Sequence, residues 1–298
     1  MFDSFESFSV TTQYSPEVTI KGLKSIPATP LPPLLLLHGF PQTHHIWHRV
    51  APRLLDRYTV ILIDLRGYGA SSKPTEISAY AKSAMARDCT SVMDALGFDS
   101  FFVAAHDRGA RVAHKLCVDH PARVRAAIFL DICPTLAMYE ATDFQFAKAY
   151  FHWFFLIQAA PLPETMILAE PRKVAEMFMG GRQGKGLSIF TEECWETYVQ
   201  SMGDAETVHA MCQDYRAAAT LDLEEAREDL KQGRLIGCPL TVVWGNNGVI
   251  EQCFDALKEW RAVTREGVAV EGYAVDSGHY LPEEAPNEVT AAIVDFLK

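Results

Sequence analysis

The residues best suited to chemistry stand together in Phe101-Phe102-Val103-Ala104-Ala105-His106-Asp107-Arg108-Gly109-Ala110-Arg111. An apolar run ends in two alanines, a His-Asp-Arg-Gly turn follows, and helical spacing then runs from Ala110 to Val118. A strand that turns sharply into a helix needs small residues around a strained reactive position; Ala105 and Gly109 supply them, and Asp107 stands where serine is the usual occupant. The exchange changes the reaction. A serine hydroxyl attacks an acyl carbonyl, whereas an aspartate carboxylate suits displacement of a leaving group from carbon, which leaves an ester on the protein. An Asp at such a turn also serves as a plain helix cap. The elbow pattern, with Ser277-Gly278-His279-Tyr280 in the right later loop, favours the nucleophile. His279 is then the base that activates water against the Asp107 ester.

A base of this kind needs an acid behind it. The loop after Leu240–Trp244 offers only Asn246 and Asn247, and neither carries the charge that steadies an imidazolium. Asp131 ends the preceding core strand and can reach the same histidine, with Asp276 as the fallback. Arg108 follows the nucleophile, and Arg111 lies one helical turn from it on the same face. One of them could simply pair with Asp107, but full pairing would blunt the nucleophile. Two guanidiniums beside one carboxylate are better read as a clamp for a substrate carboxylate, since the planar fork makes bidentate contacts. The backbone N–H groups of Phe40 and Arg108 are expected to form an oxyanion hole.

These groups need a frame. Phe5–Val10 and Val18–Gly22 suggest an opening antiparallel hairpin. Leu34–Leu37, Tyr58–Asp64, Phe101–Ala105, Val124–Leu130, Leu240–Trp244 and Val268–Val275 read as strands, several of them continuous apolar runs. Helical spacing covers Trp47–Leu55 and Tyr80–Leu96. Strands alternating with helices imply a mostly parallel sheet covered on both faces, with chemistry at the carboxyl ends of its strands. Between Leu136 and about Arg227 the strand runs stop and aromatics dominate, Phe144, Phe146, Tyr150, Phe151, Trp153, Phe154 and Phe155 among them. We read an α/β core over 1–135 and 228–298 with an inserted helical cap over 136–227. Gly180–Gly186 is read as a flexible loop within it.

The 298 residues are 49% hydrophobic and 22% charged, enough for a large core and too apolar for disorder. A net charge of −11 argues against nucleic acid and anionic membranes as partners, so an anionic substrate would need local cations. The seven cysteines show no metal-ligand spacing and read as reduced, cytosolic and mostly buried. Met1–Glu6 lacks the features of a signal peptide, and no apolar run is long enough to span a bilayer. His44, His45 and His48 cluster without a nearby Cys or carboxylate to complete a metal site, and are read as structural.

The chain resembles the α/β-hydrolases that carry a cap, through His38-Gly39-Phe40-Pro41, Asp64-Leu65-Arg66-Gly67-Tyr68-Gly69-Ala70-Ser71 and Ser277-Gly278-His279-Tyr280. More narrowly, His106-Asp107-Arg108-Gly109-Ala110-Arg111 resembles the haloacetate (fluoroacetate) dehalogenases. Ala105 and Ala110 stand where glycine is common there, and both are small. The resemblance implies Asp131 as the acid and His152, Trp153 and Tyr215 as a halide cradle, each able to donate a hydrogen bond to an ion that only accepts. Taken alone, Trp153 and Tyr215 read equally as cap core. The implied activity is hydrolysis of short 2-haloacids, haloacetate foremost, to glycolate and halide in a cytoplasmic homodimer, with no cofactor or metal. The alternatives are an epoxide hydrolase, which needs paired tyrosines in the cap, and a non-catalytic binding member. Epoxide hydrolases and haloalkane dehalogenases usually carry Trp after the nucleophile, and Arg108 argues against both.

Overall fold

The computed structural model describes residues 1–180 and 186–298. Most of the glycine-rich stretch expected as a loop, residues 181–185, therefore lies outside the described residues. The sheet has eight strands: β1 (Phe5–Tyr14), β2 (Glu17–Ser25), β3 (Pro33–Leu37), β4 (Thr59–Ile63), β5 (Phe101–His106), β6 (Val124–Leu130), β7 (Leu240–Gly245) and β8 (Val270–Val275). Their spatial order is β1-β2-β4-β3-β5-β6-β7-β8. β1 and β2 pair antiparallel and β2 meets β4 antiparallel, while the sheet from β4 to β8 is parallel. The apolar runs explain this. Phe101, Val103 and Ala105 of β5 enter one core cluster, and Phe102 and Ala104 enter the cluster on the opposite face. A strand buried on both sides has no solvent face to alternate toward.

Helices α1 (Lys82–Ala95) and α2 (Arg108–Asp119) follow β4 and β5. Between β6 and β7 come α3 (Thr135–Glu140), α4 (Phe144–Ala149), α5 (Phe151–Leu156), α6 (Leu162–Ala169), α7 (Pro171–Met179), α8 (Glu192–Gly203), α9 (Ala205–Ala218) and α10 (Leu221–Lys231). Then come α11 (Val249–Cys253), α12 (Ala256–Ala262), α13 (Leu281–Glu284) and α14 (Pro286–Phe296). Among the described residues, no helix is long and apolar enough to cross a membrane. All seven cysteines are free thiols, and only Cys253 is less than fully buried.

One expected helix is broken. Trp47–Leu55 forms two 3₁₀ turns instead, His44–Trp47 and Ala51–Leu54. Pro52 accounts for it: with no N–H, and with a ring that crowds the preceding turn, it cannot continue a helix begun at Trp47. Tyr80 likewise ends a 3₁₀ turn, and α1 begins only at Lys82.

The sheet order reverses where β3 and β5 lie side by side, with β4 beyond β3 and β6 beyond β5. Such a switch point opens a crevice at the carboxyl ends of the strands. The loop after β3 carries Phe40, the turn after β5 carries Asp107, the end of β6 carries Asp131 and the loop after β8 carries His279. Tyr150, His152 of α5, Phe178 of α7 and Tyr215 of α9 face Asp107 and His279 across this crevice.

Candidate active site

Asp107 sits at φ 47°, ψ −116°, directly before α2. Asp131 has φ 53°, and these two are the only non-glycine residues at positive φ among the described residues. Such backbone costs roughly 1–3 kcal/mol per residue and persists where the surroundings hold it. Close packing is the restraint here. A Cβ on Gly39 would meet Asp107 Cβ at 2.5 Å, and one on Gly109 would meet the His38 carbonyl oxygen at 2.3 Å. Both glycines let the loop after β3 press against the elbow. His38 braces that loop: its Nε2 accepts from the Leu65 N–H at 2.9 Å and its Nδ1 lies 3.0 Å from the Gly39 carbonyl. Burial lowers the His38 pKa to about 4, so the ring is neutral and can both accept and donate.

The two oxygens of Asp107 have different neighbours. Oδ1 accepts from the Phe40 N–H at 2.9 Å, and Oδ2 faces His279 Nε2 at 3.8 Å, too far for a direct hydrogen bond. His279 Nδ1 meets Asp131 Oδ2 at 2.7 Å, and the other oxygen of Asp131 accepts from the Gly245 N–H at 3.0 Å. The geometry thus brings Asp107, His279 and Asp131 together. Asp276 is exposed and accepts from Asn247 Nδ2 at 3.2 Å. His106 is buried with its Nε2 2.7 Å from the His279 carbonyl, and burial lowers its pKa to about 3. Burial alone would push the Asp107 carboxyl up, but His279, His106, Arg111 and Arg108 together hold it below its usual range. The Asp107 carboxyl is ionised at neutral pH.

Neither arginine forms an ion pair with Asp107. Arg108 binds Asp214 of α9, Nε to Oδ2 at 2.9 Å and Nη2 to Oδ1 at 2.7 Å. Arg111 donates from Nη1 to Thr135 Oγ1 at 2.9 Å and to the Cys133 carbonyl at 3.2 Å. Burial and then the Arg108 charge lower the Arg111 pKa. The Arg108 guanidinium stacks 4.3 Å from the Tyr215 ring centre, and that of Arg111 4.6 Å from the Trp153 ring. Three buried donors have no hydrogen-bond partner here: Arg108 Nη1, Arg111 Nε and Trp153 Nε1.

Asp107 and His279 open into a small cavity whose walls include Phe40, Tyr150, His152 and Tyr215. Trp153 does not line it; it stands behind, stacked on Tyr150 at 5.7 Å and 6.4 Å from Tyr215. Arg108 and Arg111 do not line it either; their guanidiniums lie against Tyr215, which does, and against Trp153. A larger cavity lies on the far side of Arg111, between α2, α3 and α10, and Asp107 does not reach it. Sequence reasoning missed Tyr150 on the wall and Asp214 behind Arg108. Tyr150 could have been found as a polar ring within the aromatic run. Asp214 carries no comparable signal.

The histidine cluster separates. His44 Nδ1 pairs with Asp64 at 2.7 Å, while His48 Nδ1 lies 3.4 Å from Cys194 Sγ and 3.8 Å from Glu283 Oε1. The fold therefore brings a Cys and a carboxylate to His48 that sequence distance concealed. His48 Nδ1 also lies 2.9 Å from the His45 carbonyl, and a ring N–H donated there leaves that nitrogen no lone pair for a metal.

Comparison with known proteins agrees with this geometry. Residues 32–286 match the alpha/beta hydrolase fold family. A fluoroacetate dehalogenase from Burkholderia sp. is 40% identical over 89% of this chain and 87% of its own. A soluble epoxide hydrolase from Corynebacterium sp. (strain C12) is 29% identical over 89% of each chain. The solved structure of a candidate alpha/beta hydrolase from Nostoc sp. PCC 7120 superposes with a TM-score of 0.93 at 46% identity, covering 100% of this chain and 99% of that one. The elbow, the switch-point crevice and these likenesses lead to one conclusion: the chain belongs to the α/β-hydrolase fold family, and the resemblance to the haloacetate dehalogenases is matched by a relative of that kind.

Proposed function

We propose that this protein is a hydrolytic dehalogenase of short 2-haloacids, with haloacetate as its main substrate. The observation that carries this reading is the set of three buried, unpartnered donors on Arg108, Arg111 and Trp153. Leaving buried donors unsatisfied is costly, and a haloacetate offers acceptors at both ends, a carboxylate and a halogen that departs as an anion.

In the first step Asp107 Oδ2 attacks the carbon bearing the halogen. The carbon–oxygen bond forms as the carbon–halogen bond breaks, and halide leaves with the bonding pair toward His152, Trp153 and Tyr215. Arg108 and Arg111 hold the carboxylate. In the second step His279 Nε2 takes a proton from water, and the hydroxide adds to Asp107 Cγ. The oxyanion develops on Oδ1, where the Phe40 N–H already points, with the Arg108 N–H as its second donor. Asp131 steadies the imidazolium. The tetrahedral intermediate breaks its Cγ–Oδ2 bond and expels glycolate, whose alkoxide takes the proton back from His279; the Asp107 carboxylic acid left behind, with one oxygen from water, loses its proton to solvent and the carboxylate is restored.

Tyr150 and Tyr215 both line the cavity, and such a pair is what epoxide opening would require. That favours epoxide hydrolysis as the second reading. Against it, a neutral epoxide would leave the buried arginines unanswered. Halide release from chloroacetate and fluoroacetate, run beside diol formation from styrene oxide and halide release from 1-chlorobutane, separates the readings. We expect turnover of the haloacids and little of the neutral compounds. Preference for styrene oxide or for the haloalkane would overturn the proposal.

A further inference from the structure

Asp214 takes no step in the reaction above, yet it is fully buried and its carboxylate accepts from four donors. Arg108 Nε and Nη2 reach it at 2.9 and 2.7 Å, Tyr68 OH at 2.8 Å and Lys82 Nζ at 2.5 Å. Its main-chain carbonyl accepts a further bond from Arg108 Nη2 at 2.7 Å. Lys82 is shared with Asp222 at 3.4 Å. Arg108 and Lys82 thus balance Asp214 and Asp222 in charge. The donors come from the loop after β4, the start of α1 and the start of α2, while Asp214 comes from α9, next to Tyr215.

A guanidinium is a rigid planar fork, so fixing one edge fixes where the remaining nitrogen points. Asp214 occupies the Nε–Nη2 edge of Arg108 and leaves Nη1 buried without a partner. Arg111 differs. Among the described residues no carboxylate forms an ion pair with it, and its partners are neutral: Thr135 Oγ1, the Cys133 carbonyl and Met138 Sδ at 3.3 Å. The two arginines, alike in sequence, are unlike in charge balance.

We propose that Asp214 is a positioning residue of the anion site: it holds Arg108 as a neutralised donor aimed through Nη1, and leaves Arg111 as the cation that selects a negatively charged substrate. This rests on the dehalogenase reading above. One consequence has a definite sign. Removing Arg108 alone leaves Asp214 and Asp222 facing Lys82 only, one negative charge in excess beside an incoming anion, whereas removing Arg108 and Asp214 together leaves Lys82 balanced by Asp222.

The test is a double-mutant cycle in KM and kcat for chloroacetate, with Tyr68→Phe as the control. Tyr68→Phe removes another tie between Asp214 and the core but keeps both charges and both Arg108 bonds. We expect Arg108→Met and Asp214→Asn each to raise KM by about tenfold or more, with kcat changed less than KM. The double variant should have a lower KM than Arg108→Met alone, and Tyr68→Phe should stay close to wild type. KM effects that multiply independently would overturn the proposal. So would an Asp214→Asn protein with wild-type KM, or a Tyr68→Phe protein as impaired as Asp214→Asn. If Asp214→Asn does not fold, the double variant against Arg108→Met still decides, since a higher KM in the double contradicts the charge argument. Should the wild type release no halide, the dehalogenase reading fails, and the same cycle is read on acetate binding by calorimetry. Acetate binding with the expected coupling keeps the role of Asp214, and its absence ends both.

Discussion

The half of the site built by the sheet and the half built by the helices after β6 are completed to different degrees. On the sheet side the Asp107 and Asp131 carboxylates are met: Asp107 Oδ1 by the Phe40 N–H, Asp131 by His279 and the Gly245 N–H, with His106 Nε2 held at the His279 carbonyl and only its Nδ1 unpartnered. On the other side Trp153 Nε1 has no partner, and the two guanidiniums that α2 sends against the Tyr215 and Trp153 rings have one nitrogen each unpartnered. Under the proposed reaction, the difference fits a division of labour. A triad must be aligned before substrate arrives, because reorientation at the moment of reaction adds to the barrier. Donors for an anion need only be held still, and the anion completes them.

Breaking the sheet half should have the largest effect. Asp107→Asn is expected to abolish halide release, because an amide cannot form the ester; substantial residual turnover would remove Asp107 from the nucleophile role. Substitutions on the other side should weaken the reaction by degrees. Trp153→Phe and Tyr215→Phe keep the ring and remove one donor. Loss of a donor to developing charge typically costs about 2.7–4 kcal/mol. Fluoride is small and strongly hydrated and leaves a stronger bond than chloride does, so kcat/KM should fall more for fluoroacetate than for chloroacetate. An unchanged ratio would make both rings ordinary packing, and an effect confined to Tyr215 would exclude Trp153, which stands behind the cavity wall, from contact with the halide. Arg111→Met removes the unbalanced cation. A buried charged hydrogen bond is worth roughly 1.5–3 kcal/mol, so KM for chloroacetate should rise about tenfold or more. A KM near wild type would mean that the substrate carboxylate binds elsewhere.

The smallest expected effect concerns how the two halves are joined. Glu283 of α13 is fully buried, accepts from Gln42 Nε2 at 2.5 Å and Tyr198 OH at 3.2 Å, and has His48 3.8 Å away. Burial pushes its carboxyl well above the usual range, and the hydrogen bonds from Gln42 and Tyr198 offset this only in part. The folded pKa lies above the unfolded value of about 4.3, so the stability this group contributes is fully present below that pH and is lost as pH rises through the folded pKa. Glu283→Gln should flatten that decline in urea midpoints measured across pH. A variant with the same slope as wild type would show that Glu283 is not its source.

The grouping of Asp107, His279 and Asp131 was legible because these residues stand at the ends of apolar runs, and a parallel sheet sets consecutive strand ends side by side. That is why Asp131, at the end of β6, could be placed against His279 after β8 without a structure, and why Asn246 and Asn247 could be set aside. The environment of Arg108 was not legible. Its partner Asp214 is 106 residues away on a helix whose pattern reads only as amphipathic. The sequence offered Asp107 as the plain ion-pair partner, and folding instead supplied a different carboxylate. His48 shows the same limit, since Cys194 and Glu283 reach it from sequence separations of 146 and 235, the latter by subtraction of 48 from 283. The broken helix at Pro52 was readable in principle, because proline's missing N–H is a local property, but the apolar spacing around it suggested one continuous element.

The central claim is that carbon is carried on Asp107 as an ester which His279 hydrolyses. It is tested most directly by the intact mass of the His279→Asn protein after incubation with chloroacetate. The account predicts a protein heavier by one carboxymethyl group, with the added mass on the peptide containing Asp107 and absent from a protein that also carries Asp107→Asn. An unmodified His279→Asn protein that still releases halide at the wild-type rate would contradict it.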